Sequence, residues 1–233
     1  MQTHALVITI DGPAGAGKST VARRLANRLG LDFLDTGAMY RGLAAAALDA
    51  GIDPADQAAM AELALHVRIS FDWTADPPRL LIDGRDLTDR LRDADVTAAV
   101  SDVAANAPVR SVLVEAQRDI GRQHPRLVTE GRDQGSVVFP QAFAKFYLDA
   151  SAAVRARRRA EQLRDAGRPA DEQQILQQIS DRDRRDSTRP DGPLICPDDA
   201  IRVDTSGMTL DQVVDHLAQL VRQRVETRDG VRR

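Results

Sequence analysis

Cysteine is nearly absent from this chain of 233 residues, which carries a single one, Cys196. One thiol allows no internal disulfide, so a small disulfide-stapled secreted domain is excluded. The apolar run at residues 5–10 is too short for a signal peptide, and no basic segment precedes it. No stretch approaches the roughly 20 apolar residues that a membrane-spanning helix needs. We therefore expect a soluble protein of a reducing, cytoplasmic compartment.

Aromatic residues and net positive charge are also scarce. Aromatics make up 3% of the chain and hydrophobic residues 42%, so the core must consist of Leu, Val, Ile and Ala. Such a core suits helices and parallel sheets better than a sandwich or barrel. A formal net charge of -3 excludes a generally basic nucleic-acid binder, although it leaves room for a local basic patch. Among the 32 basic residues only Lys18 and Lys145 are lysines, which gives a lysine within a motif extra weight.

Short apolar runs alternate with helical segments along most of the chain. The β-rich runs are "HALVITI", "LDFLDTG", "RLVTE", "AKFYLDA" and "AIRVDT". This alternation predicts an α/β fold with a mostly parallel sheet covered on both faces. In such sheets ligands bind beyond the carboxyl ends of the strands, where the polar clusters of this sequence fall. Residues 67–87 instead alternate with period two around "ADPP", which predicts an antiparallel hairpin with a short third strand.

The segment "GPAGAGKST" lies between the first predicted strand and a predicted helix, and it matches G-x4-G-K-[ST] in full. Its glycines let the backbone curl so that successive N–H groups point at one anion, and the helix adds its positive dipole end. We expect Lys18 to reach the β- and γ-phosphates of a nucleoside triphosphate and the Ser19 hydroxyl to ligate Mg²⁺. The predicted triphosphate site consists of Gly12, Pro13, Ala14, Gly15, Ala16, Gly17, Lys18, Ser19 and Thr20.

A triphosphate site alone leaves the reaction open. A GTPase switch needs a guanine-reading segment of the "NKxD" type, and neither lysine lies in such a segment. A motor or a large ATPase needs a longer chain. A small-molecule kinase needs a second, polar pocket for the phosphoryl acceptor, and the remaining polar clusters are candidates for it.

One such cluster is the run "SDRDRRDSTRPDGPL" at residues 180–194, which has the composition of a solvated linker. A helical apolar pattern leads into it. Ile175 and Ile179 lie four apart, and Arg182, Asp186 and Arg189 continue the stripe at steps of three, four and three. A solvated linker is not expected to keep its residues at this helical spacing. We therefore predict one helix whose inward face changes from apolar to charged and turns toward a ligand.

Six segments, in this order, resemble those of bacterial cytidylate kinases: "ITIDGPAGAGKST", "FLDTGAMYR", "SDVAANAPVR", "EGRDQGSVVFP", "RDRRDSTRPDGPL" and "DDAIRVDTS". The resemblance spans residues 8–206. It implies a nucleoside monophosphate kinase with a three-layer P-loop core, a small antiparallel β insertion and a helical lid. Such an enzyme transfers the γ-phosphoryl group of ATP to CMP, and usually to dCMP, with Mg²⁺.

The resemblance also implies a division of one structural unit into subregions. The core takes residues 1–35, 90–150 and 190–228, and the acceptor-binding region takes residues 36–89 with the hairpin as an insertion. The lid and the acceptor-facing helices take residues 151–189, and a short tail at 229–233 is expected to be disordered. The implied partners are ATP and CMP or dCMP, without nucleic acid or membrane, and the implied state is a monomer.

Site residues follow from the same resemblance, position by position. Arg41, Arg132 and Arg189 stand where the family binds the acceptor phosphate, a role that suits the planar fork of arginine. Cytosine differs from uracil by an amine donor and a ring acceptor, so its pocket needs a carboxylate and a donor. The positions implied for the base and the sugar, with the nearby "DTGAMYR" segment, are Thr36, Tyr40, Ser101, Arg110, Asp133, Arg182 and Asp186.

The lid and the metal site are implied more loosely. Arg155, Arg158 and Arg159 share one helix face at the start of the lid, where they are expected to neutralise the transferring phosphoryl group with Lys18, Arg132 and Arg189. Asp35 and Glu130 follow predicted strands and are candidates to hold Mg²⁺ through water. The family pattern is broken at Gln134, Ser136 and Cys196, none of which removes a group that the chemistry needs.

Two other hypotheses stay open at this point. One is another small P-loop kinase, acting on UMP, AMP or a non-nucleotide acid. The other is a regulator without catalysis that binds nucleotides or RNA through its arginine cluster.

Overall fold

The computed structural model describes residues 5–230, which divide into two compact units. The first unit comprises the described residues up to Asp32 together with those from Arg126 onward, and the second comprises Phe33–Pro125. The elements, in chain order, are β1 (Leu6–Asp11), α1 (Lys18–Leu29), β2 (Asp32–Asp35), α2 (Thr36–Asp49), α3 (Gln57–His66), β3 (Ile69–Asp72), β4 (Arg79–Ile82), β5 (Arg85–Asp86), α4 (Ala94–Ala105), α5 (Ala107–Gln123), β6 (Arg126–Gly131), β7 (Ala144–Asp149), α6 (Ala152–Asp165), α7 (Glu172–Thr188), β8 (Ile201–Asp204) and α8 (Leu210–Gly230).

The first unit is built on parallel strands in the order β6-β1-β7-β8. Ile8 and Ile10 of β1 are fully buried, as a strand covered on both faces requires. The register aligns Asp11 with Gly131, and Asp149 with Asp204. The carboxyl ends of the strands therefore share one edge, and the predicted mostly parallel α/β fold is confirmed.

Helices α6 and α7 pack on each other through a small apolar cluster of Ala156, Ala160, Ile175 and Ile179. This contact fixes the phase of α7 and so decides which of its polar residues turn inward. Helix α8 continues through residues 229 and 230, where the disordered tail was expected to begin. Residues 231–233 of that tail lie outside the described part of the chain. No described helix is long and apolar enough to cross a membrane.

The second unit contains an antiparallel sheet in the order β3-β4-β5 together with helices α2 to α5. The predicted hairpin and its short third strand are both present. Helix α3 begins after Asp56, whose side chain accepts from the N–H groups of Ala58 and Ala59. Residues 90–125, which the resemblance assigned to the core, fall in this second unit.

Candidate active site

The phosphate-binding motif forms a tight loop between β1 and α1. Gly15 and Gly17 have φ of 77° and 81°, the left-handed region that glycine adopts without strain. Gly12 has no room for a side chain, because a Cβ there would lie 2.1 Å from the carbonyl oxygen of Leu148. Helix α1 begins at Lys18, directly after the loop, and Thr20 is exposed in its first turn. The loop therefore combines backbone N–H groups with a helix N-terminus, as anion binding requires.

Lys18 is buried, and its Nζ donates to the carbonyl oxygen of Pro13 at 2.9 Å. Burial lowers the pKa of its ammonium group to about 7, and the neighbouring positive charge of Arg132 acts in the same direction. Glu130 and Asp11 oppose this effect only in part. An anionic ligand in the loop would stabilise the charged form of Lys18, so the geometry and the electrostatics both favour a phosphate next to it.

Ser19 and Glu130 lie close together in the first unit. The Ser19 hydroxyl, in the first turn of α1, donates to Oε1 of Glu130 at the end of β6, with 2.7 Å between the oxygens. The described residues contain no group of three or more His, Cys, Asp or Glu side chains that could hold a metal ion. A hydroxyl and one carboxylate nonetheless fit Mg²⁺, which keeps several waters and takes further oxygens from substrate phosphates.

Beyond the end of β6, arginines and carboxylates form a largely buried cluster that contains five of the predicted site residues. Nε of Arg132 donates to Oδ2 of Asp186 at 2.8 Å, and Arg182 lies 4.0 Å from the same oxygen. Nη2 of Arg189 lies 3.8 Å from Oδ2 of Asp133. Burial would raise the pKa of Asp186, but the charge of Arg132, its hydrogen bond and the charges of Arg182 and Arg189 together outweigh burial and hold that pKa below its ordinary value. The cluster thus keeps several charged, planar donors together at the sheet edge.

Asp186→Asn is expected to destabilise the protein by about 3 kcal/mol near neutral pH, because it leaves buried arginines without their carboxylate. The pKa of Asp186 is lower in the folded state than its ordinary value of 3.8. Its contribution to stability is therefore present above pH 3.8 and is lost as the pH falls through the lowered pKa. Urea unfolding of both proteins between pH 7 and pH 3 should show the difference in free energy of unfolding shrinking with acid. Glu172→Gln, at an exposed position on the same helix, is the control; a gap independent of pH would contradict the ion-pair interpretation.

Helix α7 keeps the predicted phase over most of the stripe. Ile175, Ile179 and Asp186 are buried, and Arg182 is half-buried. The helix ends at Thr188, so Arg189 lies just beyond it, where its Nε donates to the carbonyl oxygen of Gly192. The stripe prediction thus describes the burial as far as Asp186, and the turn after the helix positions Arg189.

The three predicted lid arginines of α6 differ in their surroundings. Arg155 is buried and donates to the carbonyl oxygens of Ala150 and Ala14, each at 2.8 Å. Arg158 is half-buried and donates to the carbonyl oxygen of Thr205 at 2.6 Å. Arg159 is exposed. Of the three, it is Arg155 that contacts the phosphate-binding loop, at the carbonyl oxygen of Ala14.

Sequence reasoning missed Asp183, which lies next to that contact. Its Oδ1 accepts from the backbone N–H of Ala14 at 3.1 Å, and its Oδ2 lies 2.7 Å from Nη1 of Arg155. The signal was available, because Asp183 follows Ile175 and Ile179 at the same step of four. It was overlooked because the same stripe also runs through Arg182 at a step of three.

Sequence reasoning also missed Asp11, at the end of β1. It is buried and accepts from the backbone N–H groups of Gln134 and Gly135 at 2.9 and 2.7 Å. Burial raises the pKa of Asp11 to about 6, and these two hydrogen bonds act against that rise. Gly135 packs so closely against β1 that it has no room for a side chain, because a Cβ there would lie 2.9 Å from Oγ1 of Thr9. Asp11 therefore anchors the segment that follows Arg132 and Asp133, a contact over more than 120 residues that no local pattern announces.

In the second unit, Arg110 is almost fully buried, with 1% of its surface exposed. Its Nη1 donates to the Tyr40 hydroxyl at 3.3 Å. A guanidinium buried to this degree is costly unless polar partners satisfy it. Ser101 is half-buried on α4 and Thr36 is buried in the first turn of α2.

Arg41 and Asp35 also have partners within the second unit. Nη1 of Arg41 donates to the carbonyl oxygen of Leu91 and to the Thr97 hydroxyl, at 3.4 and 3.3 Å. Oδ1 of Asp35 accepts from the N–H of Ala38 at 2.9 Å and so caps α2. The cap gives Asp35 a structural role that its position after a strand did not reveal.

A complete phosphate-binding loop at the carboxyl edge of a parallel sheet, with an arginine–carboxylate cluster in the same unit, defines a P-loop phosphotransferase. Comparison with known proteins narrows this class. A family model described as cytidylate kinase matches residues 8–223. The chain belongs to the cytidylate kinase family.

Curated relatives agree over nearly the whole chain. The protein named cytidylate kinase of Mycobacterium avium (strain 104) is 48% identical over 221 residues, covering 95% of this chain and 97% of that one. Its counterpart in Azotobacter vinelandii (strain DJ / ATCC BAA-1303) is 44% identical over 219 residues, covering 93% and 95%. Among solved structures, a gluconokinase from Sinorhizobium meliloti 1021 matches with a TM-score of 0.52 at 15% identity, covering 96% of this chain and 95% of that one. That likeness shows the fold alone.

Proposed function

We propose that the protein transfers the γ-phosphoryl group of ATP to CMP, giving ADP and CDP, and that it also accepts dCMP. The observation that carries the proposal is the cluster of Arg132, Asp133, Arg182, Asp186 and Arg189, which lies in the same unit as a complete phosphate-binding loop. A donor site explains the loop but not these buried charges. An acceptor that is itself an anionic nucleotide accounts for both.

On the donor side, the loop from Gly12 to Thr20 binds the phosphates of ATP through backbone N–H groups and the Lys18 ammonium. We propose that Ser19 ligates Mg²⁺, with Glu130 acting through water, since the two side chains lie 2.7 Å apart. Bound Mg²⁺ would neutralise charge on the β- and γ-phosphates. Asp35 is the weaker candidate for this role, because it caps α2.

On the acceptor side, Arg132 and Arg189 bind the CMP phosphate through paired N–H groups. Asp133 accepts from the cytosine amine, and Arg182 and Asp186 bind the ribose. The attacking atom is an anionic phosphate oxygen, so the reaction needs no general base. Catalysis then consists of positioning, charge neutralisation and exclusion of water.

Family membership supports CMP-binding roles for further residues, all of which belong to the second unit. The buried pair of Arg110 and Tyr40 presents fixed donors for reading cytosine, and Arg41 carries a further positive charge for the acceptor phosphate. The remaining contacts come from the hydroxyl groups of Thr36 and Ser101. Arg155, Arg158 and Arg159 contribute positive charge on the donor side, since Arg155 already contacts the loop through Ala14. We propose a cytoplasmic monomer with ATP and CMP as its partners, without nucleic acid or membrane.

A panel of phosphoryl acceptors tests the proposal most directly. ATP and Mg²⁺ are supplied with CMP, dCMP, UMP, AMP and gluconate in turn, and ADP production is followed. CMP should give the highest kcat/KM. Faster turnover with UMP, AMP or gluconate would contradict the assignment and favour another small P-loop kinase. Binding of ATP without acceptor-dependent turnover on any substrate would favour a non-catalytic regulator.

Asp133→Ala and Arg110→Met are expected to raise KM for CMP by about 100-fold while changing KM for ATP less than about threefold. Each removes a group that we assign to cytosine recognition, and an unmatched polar contact in a closed site costs about 2–3 kcal/mol. Steady-state kinetics with each nucleotide varied in turn measures the split. Asp102→Asn, at an exposed position next to Ser101, is the control. Equal losses for both nucleotides would count against the base-reading roles.

A further inference from the structure

Asp183 joins three parts of the first unit at one point. Its two carboxylate oxygens contact the backbone N–H of Ala14 in the phosphate-binding loop and the guanidinium of Arg155 on α6. The same Nη1 of Arg155 donates to the carbonyl oxygen of Ala14. The loop, α6 and α7 are therefore closed into a ring by one ion pair and two charge-assisted hydrogen bonds, a type about twice as strong as neutral ones.

The ring is largely shielded from solvent, so water and salt screen the attraction between Arg155 and Asp183 only weakly. The side chain of Arg155 is 6% exposed and that of Asp183 is 21% exposed. Arg155 is also held from behind, because its Nε donates to the carbonyl oxygen of Ala150 at the end of β7. Its guanidinium thus has fixed partners on both sides, and removal of Asp183 would leave a buried charge with one partner fewer.

Asp183 is also linked to the arginine–carboxylate cluster. It is carried on α7 between Arg182 and Asp186, two members of that cluster. The pKa of the Arg132 guanidinium, which burial lowers, is raised overall by Asp186, and Glu130 and Asp183 act in the same direction. A movement of Asp183 therefore changes both the edge of the donor loop and the field at the acceptor cluster.

We infer that Asp183 is a positioning residue for phosphoryl transfer: through Arg155 and Ala14 it holds the phosphate-binding loop in register with the acceptor-binding face of α7. The inference deepens the proposed function, since Arg182 and Asp186 are acceptor ligands only under that proposal. Asp183 contacts no reacting atom in this scheme. Its effect is on alignment, where a displacement of about 1 Å costs about 100-fold in rate.

Asp183→Asn is the first test. The amide oxygen can still accept from Ala14, but the charge that pairs with Arg155 is gone. We expect kcat to fall about 100-fold while KM for ATP and KM for CMP each change less than about threefold. Asp181→Asn is the matched control, because Asp181 lies on the same helix and pairs only at the surface with Arg184 and Gln177. A variant that lost thermal stability but kept kcat per folded molecule would reduce Asp183 to a structural role and overturn the inference.

A double-mutant cycle decides whether the two partners act together. Arg155→Met should lower kcat by a similar factor, and the double variant should be no slower than the slower single variant. Losses that multiply would show independent roles and overturn the inference. The assay uses whichever acceptor wins the panel, so a different best acceptor would refute the CMP assignment while leaving the role of Asp183 testable.

A binding measurement gives a second readout without turnover. Titration calorimetry with CMP, in the presence and absence of a non-hydrolysable ATP analogue, yields the coupling between the two sites. Wild type and Asp181→Asn should show the same coupling factor, and Asp183→Asn should bring it about twofold closer to one. An unchanged factor in Asp183→Asn would overturn the inference.

Discussion

Arg132→Met is expected to lower kcat/KM for CMP about 1,000-fold and to leave the Kd for ATP within a factor of about three. Arg132 is the central cation of its cluster: its Nε donates to Asp186 at 2.8 Å, and its side chain is 17% exposed. Under the proposed function it also binds the acceptor phosphate with a fork that methionine lacks. The loss of about 4 kcal/mol corresponds to that factor.

Arg184→Met is the control for this variant. Arg184 belongs to α7 but is exposed and pairs with Asp181 at 2.9 Å. Its loss should leave kcat/KM for both nucleotides unchanged, because an exposed pair contributes little. Arg132→Lys should recover only part of the activity, since an ammonium group cannot form the paired contact. Full recovery with lysine would show that charge alone matters at this position.

Lys18→Met is expected to reduce kcat about 100- to 1,000-fold while the fold is retained. The ammonium is buried inside the loop and donates to Pro13 at 2.9 Å. Burial already disfavours the charged form of Lys18. Its replacement by methionine therefore removes an unfavourably buried charge and should not destabilise the nucleotide-free protein. The transition state loses a fixed positive charge, and a single such donor is worth about 100- to 1,000-fold.

The chain provides its own comparison in Lys145, the only other lysine. It is also buried, and its Nζ lies 2.7 Å from Oδ2 of Asp199. Lys145→Met should lower the melting temperature and keep most of kcat. Lys18→Met should lose most of kcat without lowering the melting temperature. Single-turnover kinetics and thermal unfolding of both variants measure the contrast. Similar kcat losses in the two variants would mean that a general disturbance, and not the loop charge, is responsible.

The structural features that could be predicted from the sequence are those that depend on local spacing. The glycines at 12, 15 and 17 of the loop motif determine the conformation of the loop. On α7, the spacing of three and four residues places Asp186 on the buried face of the helix. The helical spacing does not describe Arg189, because the helix ends at Thr188. A turn, unlike a helix, gives no phase that can be read from spacing.

The contacts that sequence could not give are those between distant segments. Arg132 and Asp186 are 54 positions apart, and Asp11 and Gly135 are 124 apart. The family resemblance identifies such residues individually, but it does not show which of them contact each other. Arg155 shows the difference: it was grouped with Arg158 and Arg159 by helix face, yet of the three it is Arg155 that donates to the loop, at the carbonyl oxygen of Ala14. Burial and partners, which depend on the folded chain, separate the three.

The burial of both lysines has a consequence for covalent chemistry at the surface of the folded chain. Lys18 and Lys145 are 5% and 7% exposed, and the other 30 of the 32 basic residues are arginines. The surface therefore carries its side-chain positive charge as guanidinium, and acylating reagents or lysine acetyltransferases find no lysine target there. An amine-directed probe that modified a side chain of the folded protein would have to reach one of these two buried lysines, and at Lys18 a nucleotide in the phosphate-binding loop would block its way.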